Sequence, residues 1–409
     1  MTKRASSTRM ARYEQNPLLL GQECICYVTF YKGTSPIDHL RTRVEQIIRL
    51  NPVLSGRIKR EVCGLYVETP DPALPIKIDD HFRVQDSMVS NTTRPIGKAI
   101  PVFIPNNGEC IRKKCPLFVV AVLCNRELDQ FCLVISISHM IADGVTFYQL
   151  FSMLGTSTEP FALTFNLNKD DTNGMDSSAQ KFLPNLRKTM FRQLLPTFDH
   201  PFQFAISLIR ARSLGAHVFK KTDVMWRWNH YEVPAAWIEY QKQVAMKNAP
   251  PPSESGRPQF VSTNDVLVSW FFARSNVDNA AIYLNIRNKV PFLKNTNAGN
   301  YMRPLMFQRG EFESPWLIRE SISGDVLGSA ASKTKFVAPG FEAKFGVVSN
   351  VCGLFQKVEL PGCEFIEHHY TLHDDLFGAG VPYCTVYTTA PGKVCIVTNF
   401  KLDENEFVV

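Results

Sequence analysis

The chain has 409 residues, a formal net charge of +7, 45 % apolar and 20 % charged residues. That length implies two or three domains or one large bilobal fold with a sizeable core, and the mild positive charge suits an acidic small ligand without requiring one. Basic residues do not interleave with aromatics along any face, so no nucleic acid partner is expected, and no run approaches the roughly 18 apolar residues of a membrane span.

The basic start, MTKRASSTRMAR, is not followed directly by an apolar segment, so no secretory signal is expected. The eleven cysteines are odd in number, lack Cys-x-x-Cys spacing and mostly lie in apolar runs, as Cys132, Cys352, Cys384 and Cys395 do. They read as buried thiols in a reducing compartment, the cytoplasm, and not as disulfides or zinc ligands.

In chain order, Glu23 to Tyr31 predicts a strand, and Ile37 to Leu50 carries apolar residues at Ile37, Leu40, Val44, Ile47 and Ile48, the spacing of a helix. Pro52, within Asn-Pro-Val-Leu-Ser-Gly-Arg57, stops that helix. Ile58 to Thr69 alternates as a strand does, and residues 70 to 115 read as loops with short strands. Leu117 to Leu123 and Phe131 to Ile137 predict a hairpin, whose second strand delivers His139-Met-Ile-Ala-Asp143-Gly144. Val145 to Leu154 predicts a helix capped by Asp143, so the hexapeptide sits on a strand-to-helix turn where Gly144 lets the backbone bend or approach a ligand closely.

Residues 155 to 260 read as a long crossover with helical patterns around Ser178 to Leu195 and Phe202 to Leu214, and their basic residues read as a solvated face. Ser262 or Thr263 caps a further helix with Val266, Leu267, Trp270 and Phe271 on its apolar face. A strand from Ala281 to Ile286 runs into Asn285-Ile-Arg287-Asn-Lys289 and, further on, Gly299-Asn300. Phe345 to Leu354 (FGVVSNVCGL) is a strand and loop, and Val381 to Thr389 with Lys393 to Phe400 forms a last hairpin. Glu367 to Asp375 holds six groups able to ligate a metal, but on a strand His369 and His373 share one face while His368 and Asp374 share the other. The ligands would be split, so the stretch reads as the wall of an acceptor pocket and no metal is expected.

Four segments together resemble the chloramphenicol acetyltransferase-like superfamily, which includes BAHD acyltransferases, alcohol acyltransferases and condensation domains. They are His139-x-x-x-Asp143-Gly144 at a strand end, the Asn51-Pro-Val-Leu-Ser-Gly-Arg57 turn, the Ser262-x-x-Asp265 helix with its Trp270, and Asn285-Ile-Arg287 followed by Gly299-Asn300. Ser349-Asn350-x-x-Gly353 adds a fifth, in the expected order. Asp374-Asp-Leu-Phe-Gly378-Ala-Gly380 lacks the Trp of the late BAHD block, which points to a looser relative in the alcohol acyltransferase or condensation branch.

The resemblance implies an α/β fold of two lobes, each a mixed sheet flanked by helices, with the active site at the lobe interface. It divides the chain into an N-terminal lobe (1–160), a crossover (161–260) and a C-terminal lobe (261–409). It implies an O-acyltransferase that takes acyl-CoA as co-substrate, holds no permanent cofactor, acts as a monomer and acylates a small alcohol or amine. A hydroxyl attacks a thioester poorly, and an imidazole with a pKa near 6.5 can take its proton as the bond forms; His139 has that role, against the bland reading of a core histidine. From its spacing Asp143 could orient His139 as in a triad. The resemblance instead turns Asp143 away to pair with Arg287, and makes Ser349 and Asn350 the oxyanion donors. Two alternatives stay open: a free-standing condensation-type enzyme using a carrier-bound thioester, and a binding protein of the same fold without catalysis.

Overall fold

Gln130–Ile137 lies at the centre of a five-stranded sheet, because every residue from Phe131 to Ile137 is buried and only a strand covered on both faces tolerates such a run. The computed structural model describes residues 6–10, 14, 24–93, 96–165, 228–248, 260–289, 293–324, 344–371, 382–403 and 406–408. The sheet runs Glu364–Thr371, Ile25–Lys32, Gln130–Ile137, Phe118–Asn125, Phe82–Asp86. All neighbours are antiparallel except the last pair, which is parallel.

The helix Ile37–Leu50 buries Leu40, Val44, Ile47 and Ile48 in the first core, four of the five positions its periodicity selects. Asn51 ends it: its amide donates to the carbonyls of Ile47 (2.9 Å) and Phe161 (3.1 Å) and accepts from the N–H of Leu163 (2.7 Å). Pro52 then opens a short 3-10 turn, Pro52–Ser55. The single strand expected over Ile58 to Thr69 is two antiparallel strands, Arg57–Glu61 and Gly64–Thr69. The turn falls at Val62 and Cys63, two residues that read as strand-forming but are exposed, and Gly64 follows at φ +135°; the buried positions change phase across it, from Ile58 to Leu65, Val67 and Thr69.

A second, six-stranded sheet runs Met302–Gln308, Asn279–Asn285, Phe345–Asn350, Tyr383–Ala390, Lys393–Thr398, Asn229–Val233. Its three central strands are parallel and its outer pairings antiparallel. The helix Thr263–Arg274 packs against it under a capping box, in which Ser262 Oγ accepts from the Asp265 N–H and Asp265 accepts from the Ser262 N–H. Among the described residues two large apolar cores result, one for each sheet, beside a small cluster of Tyr387, Cys395 and Val397.

Among the described residues, strands cross the boundaries expected from the sequence at three places, one being Thr164–Phe165 of the crossover, which pairs with Asn297–Ala298. Glu364–Thr371, far along the C-terminal part, pairs with Ile25–Lys32 of the first sheet, and Asn229–Val233, from the expected crossover, closes the edge of the second. The helical patterns expected around Ser178 to Leu195 and Phe202 to Leu214 lie outside the described residues, as does Asp374 to Gly380. All eleven cysteines are free; Cys132, Cys384 and Cys395 are buried, whereas Cys352 is half-buried and not the enclosed side chain its apolar run suggests. Among the described residues no helix is long and apolar enough to cross a membrane.

Candidate active site

Two residues past the end of Gln130–Ile137 the chain presents His139. The intervening Ser138 is fixed on both sides: its N–H donates to the Leu117 carbonyl (2.9 Å) and its hydroxyl to the buried Asn107 (2.9 Å). Asp143 then caps the helix Gly144–Ser152, its carboxylate accepting from the N–H of Thr146 (3.0 Å) and from its hydroxyl (3.1 Å). Gly144 is the first helical residue and no backbone bend depends on it. The space of its missing side chain faces Val351 Cγ1 (3.1 Å) and Leu354 Cδ1 (3.4 Å), so its smallness lets the second lobe close on the turn.

Asp143 and Arg287, both with fully buried side chains, form a bidentate pair across the lobe interface: Nη1 donates to Oδ2 (2.6 Å) and Nη2 to Oδ1 (3.0 Å). Arg287 also donates to the carbonyls of Asn297 (2.7 Å) and Gly299 (2.9 Å) and lies over the Tyr301 ring, 4.8 Å from its centre. The N–H of Tyr301 completes the carboxylate shell at 3.0 Å. A buried ion pair avoids a large desolvation penalty only when its remaining donors and acceptors are satisfied, as they are here.

The His139 ring is half-buried, and Asn300 grips the residue twice. The Asn300 amide nitrogen donates to the His139 carbonyl (2.8 Å), and its oxygen lies 3.1 Å from His139 Nδ1. Burial pushes the imidazole below its usual range; the nearby carbonyls of His139 and Ala142, the Asp143 charge and Asn300 oppose this without reversing it. The ring is therefore neutral near pH 7 and able to accept a proton.

The structure brings His139, Asp143 and Arg287 into one group with Thr146, Gly299, Asn300 and Tyr301; Ser349 and Asn350 have hydrogen-bond partners outside that group. Asn350 donates to Asn264 (2.8 Å) and accepts from the Cys352 N–H (3.0 Å), while Ser349 bonds the Tyr383 hydroxyl. Asn264, Asn285, Asn350 and Cys352 line a cavity of about 490 Å³ in the second lobe. The adjoining residues Val351 and Leu354 are those that meet Gly144. Sequence reasoning includes Gly299-Asn300 in a motif but gives Asn300 no role; its grip on His139 spans 161 positions and has no local signature.

The stretch from Glu367, expected to wall an acceptor pocket, is described as far as Thr371. His368 is wholly buried, stacked on Tyr27 and Phe151, and bonded to Thr29 (2.8 Å) and Tyr148 (3.3 Å). Burial, and then its neighbour His369, pushes its pKa far down. His369 faces Glu367 (3.0 Å) and the Tyr387 hydroxyl (3.4 Å), which reaches His230 (2.9 Å). Among the described residues no group of three or more His, Cys, Asp or Glu is arranged to hold a metal, and His373 to Asp375 lie outside them.

No family model matches the chain, and no curated protein does. Solved structures do match, across nearly its whole length. F. graminearum TRI101, complexed with coenzyme A and deoxynivalenol, superposes with a TM-score of 0.59 at 13 % identity, over 98 % of this chain and 96 % of that one. Polyketide synthase associated protein 5 of Mycobacterium tuberculosis gives 0.58 at 10 %, over 98 % and 95 %. The starter condensation domain of rhizomide synthetase RzmA, a mutant in complex with C8-CoA, gives 0.53 at 11 %, over 96 % and 88 %. What these proteins share with the present chain is architecture, and that architecture is the two-lobed chloramphenicol acetyltransferase-like fold.

Proposed function

We propose that the chain is an acyltransferase moving an acyl group from acyl-CoA to the hydroxyl of a small-molecule acceptor. The observation that carries this reading is the half-buried His139 ring on a turn whose only carboxylate, Asp143, is committed to Arg287. That arrangement leaves the imidazole as the group free to move a proton. The acceptor hydroxyl attacks the thioester carbonyl while His139 takes its proton; the tetrahedral intermediate collapses, the C–S bond breaks, and the imidazolium returns the proton to the leaving thiolate. Burial favours this role by keeping the resting ring neutral.

Coenzyme A or a derivative accompanies the TRI101 and RzmA structures that share the fold, which supports acyl-CoA as the co-substrate here. The oxyanion needs a donor. Ser349 and Asn350 are our candidates, although in the resting structure both are engaged elsewhere. We retain the division into an N-terminal lobe, a crossover and a C-terminal lobe, with the exchanged strands noted above.

The test is thiol release from acetyl-CoA in the presence of mixed alcohols. Turnover by the wild-type chain, lowered on the order of 10²- to 10⁴-fold in His139→Ala with an unchanged circular dichroism spectrum, is the expected result; an unchanged kcat in that variant refutes the role. A second reading is a condensation-type enzyme with a carrier-bound donor, favoured by the likeness to the first condensation domain of the CDA synthetase over 97 % of this chain. Turnover with a carrier-bound thioester and none with acyl-CoA would select it. Silence with both donors would leave the non-catalytic binding protein.

A further inference from the structure

We infer that Asn300 is a positioning residue that fixes which ring nitrogen of His139 carries the proton, and that Asp143 and Arg287 act on His139 through it. The kinetic part of this inference rests on the acyltransferase reading; the part concerning the ring does not.

The orientation of the Asn300 amide follows from its partners. A carbonyl oxygen can only accept, so the atom 2.8 Å from the His139 carbonyl is the amide nitrogen. The amide oxygen then faces His139 Nδ1 at 3.1 Å, and since it too can only accept, Nδ1 carries the hydrogen. The other groups that favour a proton on the ring are the carbonyl of His139 itself, the Asp143 charge and the Ala142 carbonyl. In the neutral imidazole the lone pair is left on Nε2, the nitrogen free to face an acceptor hydroxyl.

The buried ion pair holds Asn300 in place from both sides. The carbonyl of the preceding Gly299 accepts from Arg287 Nη2 (2.9 Å), and its N–H donates to Thr146 Oγ1 (3.1 Å). The N–H of the following Tyr301 donates to Asp143 Oδ2 (3.0 Å). Gly299 itself sits at φ +131°, a conformation L side chains rarely adopt, and this bend turns Asn300 toward the ring. Asp143 is the carboxylate whose charge reaches His139, and Arg287 neutralises it. The influence of Asp143 is therefore exerted mainly by shape, through the 299–301 segment, and not as the direct hydrogen-bond partner of a triad.

The experiment labels the full chain with ¹⁵N-histidine and reads two-bond ¹H–¹⁵N correlations, with His139 assigned by the signal missing from His139→Gln. In the wild type we expect a protonated Nδ1 and a bare Nε2. In Asn300→Ala, with circular dichroism unchanged, the two nitrogens move toward a mixture of tautomers. Under the acyltransferase reading kcat falls about tenfold to a hundredfold, less than the roughly 10⁴-fold seen when a catalytic histidine is locked in the wrong tautomer, while KM stays within about twofold. Asn300→Asp keeps an acceptor for Nδ1–H and adds charge, so the Nδ1–H tautomer persists and the acid-side midpoint of kcat/KM moves up in pH.

A wild-type ring protonated on Nε2 overturns the inference, as does an Asn300→Ala variant with the wild-type tautomer and rate. Should Asn300→Ala fail to fold, Asn300→Asp decides: loss of the Nδ1–H signature, or a midpoint that does not move, overturns it. If the wild type turns over no acyl-CoA, the functional reading fails, and the spectra of the three proteins still decide the role of Asn300.

Discussion

His139 combines two demands that usually conflict, since a ring shielded enough to stay neutral risks being closed off from a substrate. Here it remains half-buried, with its Nδ1 side taken by Asn300 and its pKa pushed below the usual 6.5 by burial. A general base works only when unprotonated, so activity should rise with pH and level off once the ring has lost its proton. Because the folded pKa is depressed, the midpoint of that rise in kcat/KM should lie below about 6.5, read from a pH–rate profile of the wild-type chain; a midpoint above that value would contradict the environment described. At this scale the sequence was informative where chemistry is local. His139 and Asp143 are four positions apart on one turn, so their spacing and their strand-to-helix setting could be read directly. Asn300 was opaque because amides occur at many turns, and only the fold brings this one to the ring.

The elements that matter most are the two turns joined by Asp143 and Arg287. Removing the guanidinium would strand a carboxylate with no access to water, at a cost of about 3–5 kcal/mol. Arg287→Ala should therefore lower the urea midpoint strongly, or leave the chain insoluble. Arg287→Lys should recover only part of the loss, because an ammonium cannot reproduce the two parallel hydrogen bonds and those to Asn297 and Gly299. Urea unfolding followed by circular dichroism checks both, and an Arg287→Ala midpoint equal to the wild type would show the pair to be dispensable. Both helix starts were legible, Asp143 and Ser262 each being a short polar residue before an apolar run. The hairpin within residues 57–69 was not, since Val62 and Cys63 look apolar in sequence but lie fully exposed at its turn, where the buried positions change phase from Ile58 to Leu65 and Val67. Gly144 shows a similar limit: its neighbours Val351 and Leu354 come from far along the chain, where no local pattern points to them.

At the scale of the molecule, three histidines among the described residues, His81, His139 and His368, have folded pKa values lowered chiefly by burial. In the unfolded chain each titrates near 6.5, so below that pH the unfolded state binds more protons than the folded one and gains on it. The stability these rings contribute is complete above about pH 6.5 and is lost as the pH falls, so the melting temperature should drop between about pH 7 and about pH 5. Calorimetry across that range tests this, and a flat or rising melting temperature would contradict it. The bilobal class was legible at this scale from motif order. The membership of the sheets was not, because a period of two identifies a strand and says nothing about its neighbour.

The strand Glu364–Thr371 covers one whole flank of Ile25–Lys32. A polypeptide made only as far as residue 160 would leave that flank bare, a row of unsatisfied amides and carbonyls on a strand whose side chains are almost all apolar. During synthesis the first half must wait, sticky and incomplete, for a piece of the second. The first sheet is thus finished only by a segment more than three hundred residues further along, and a fragment ending at residue 160 should associate through that bare edge.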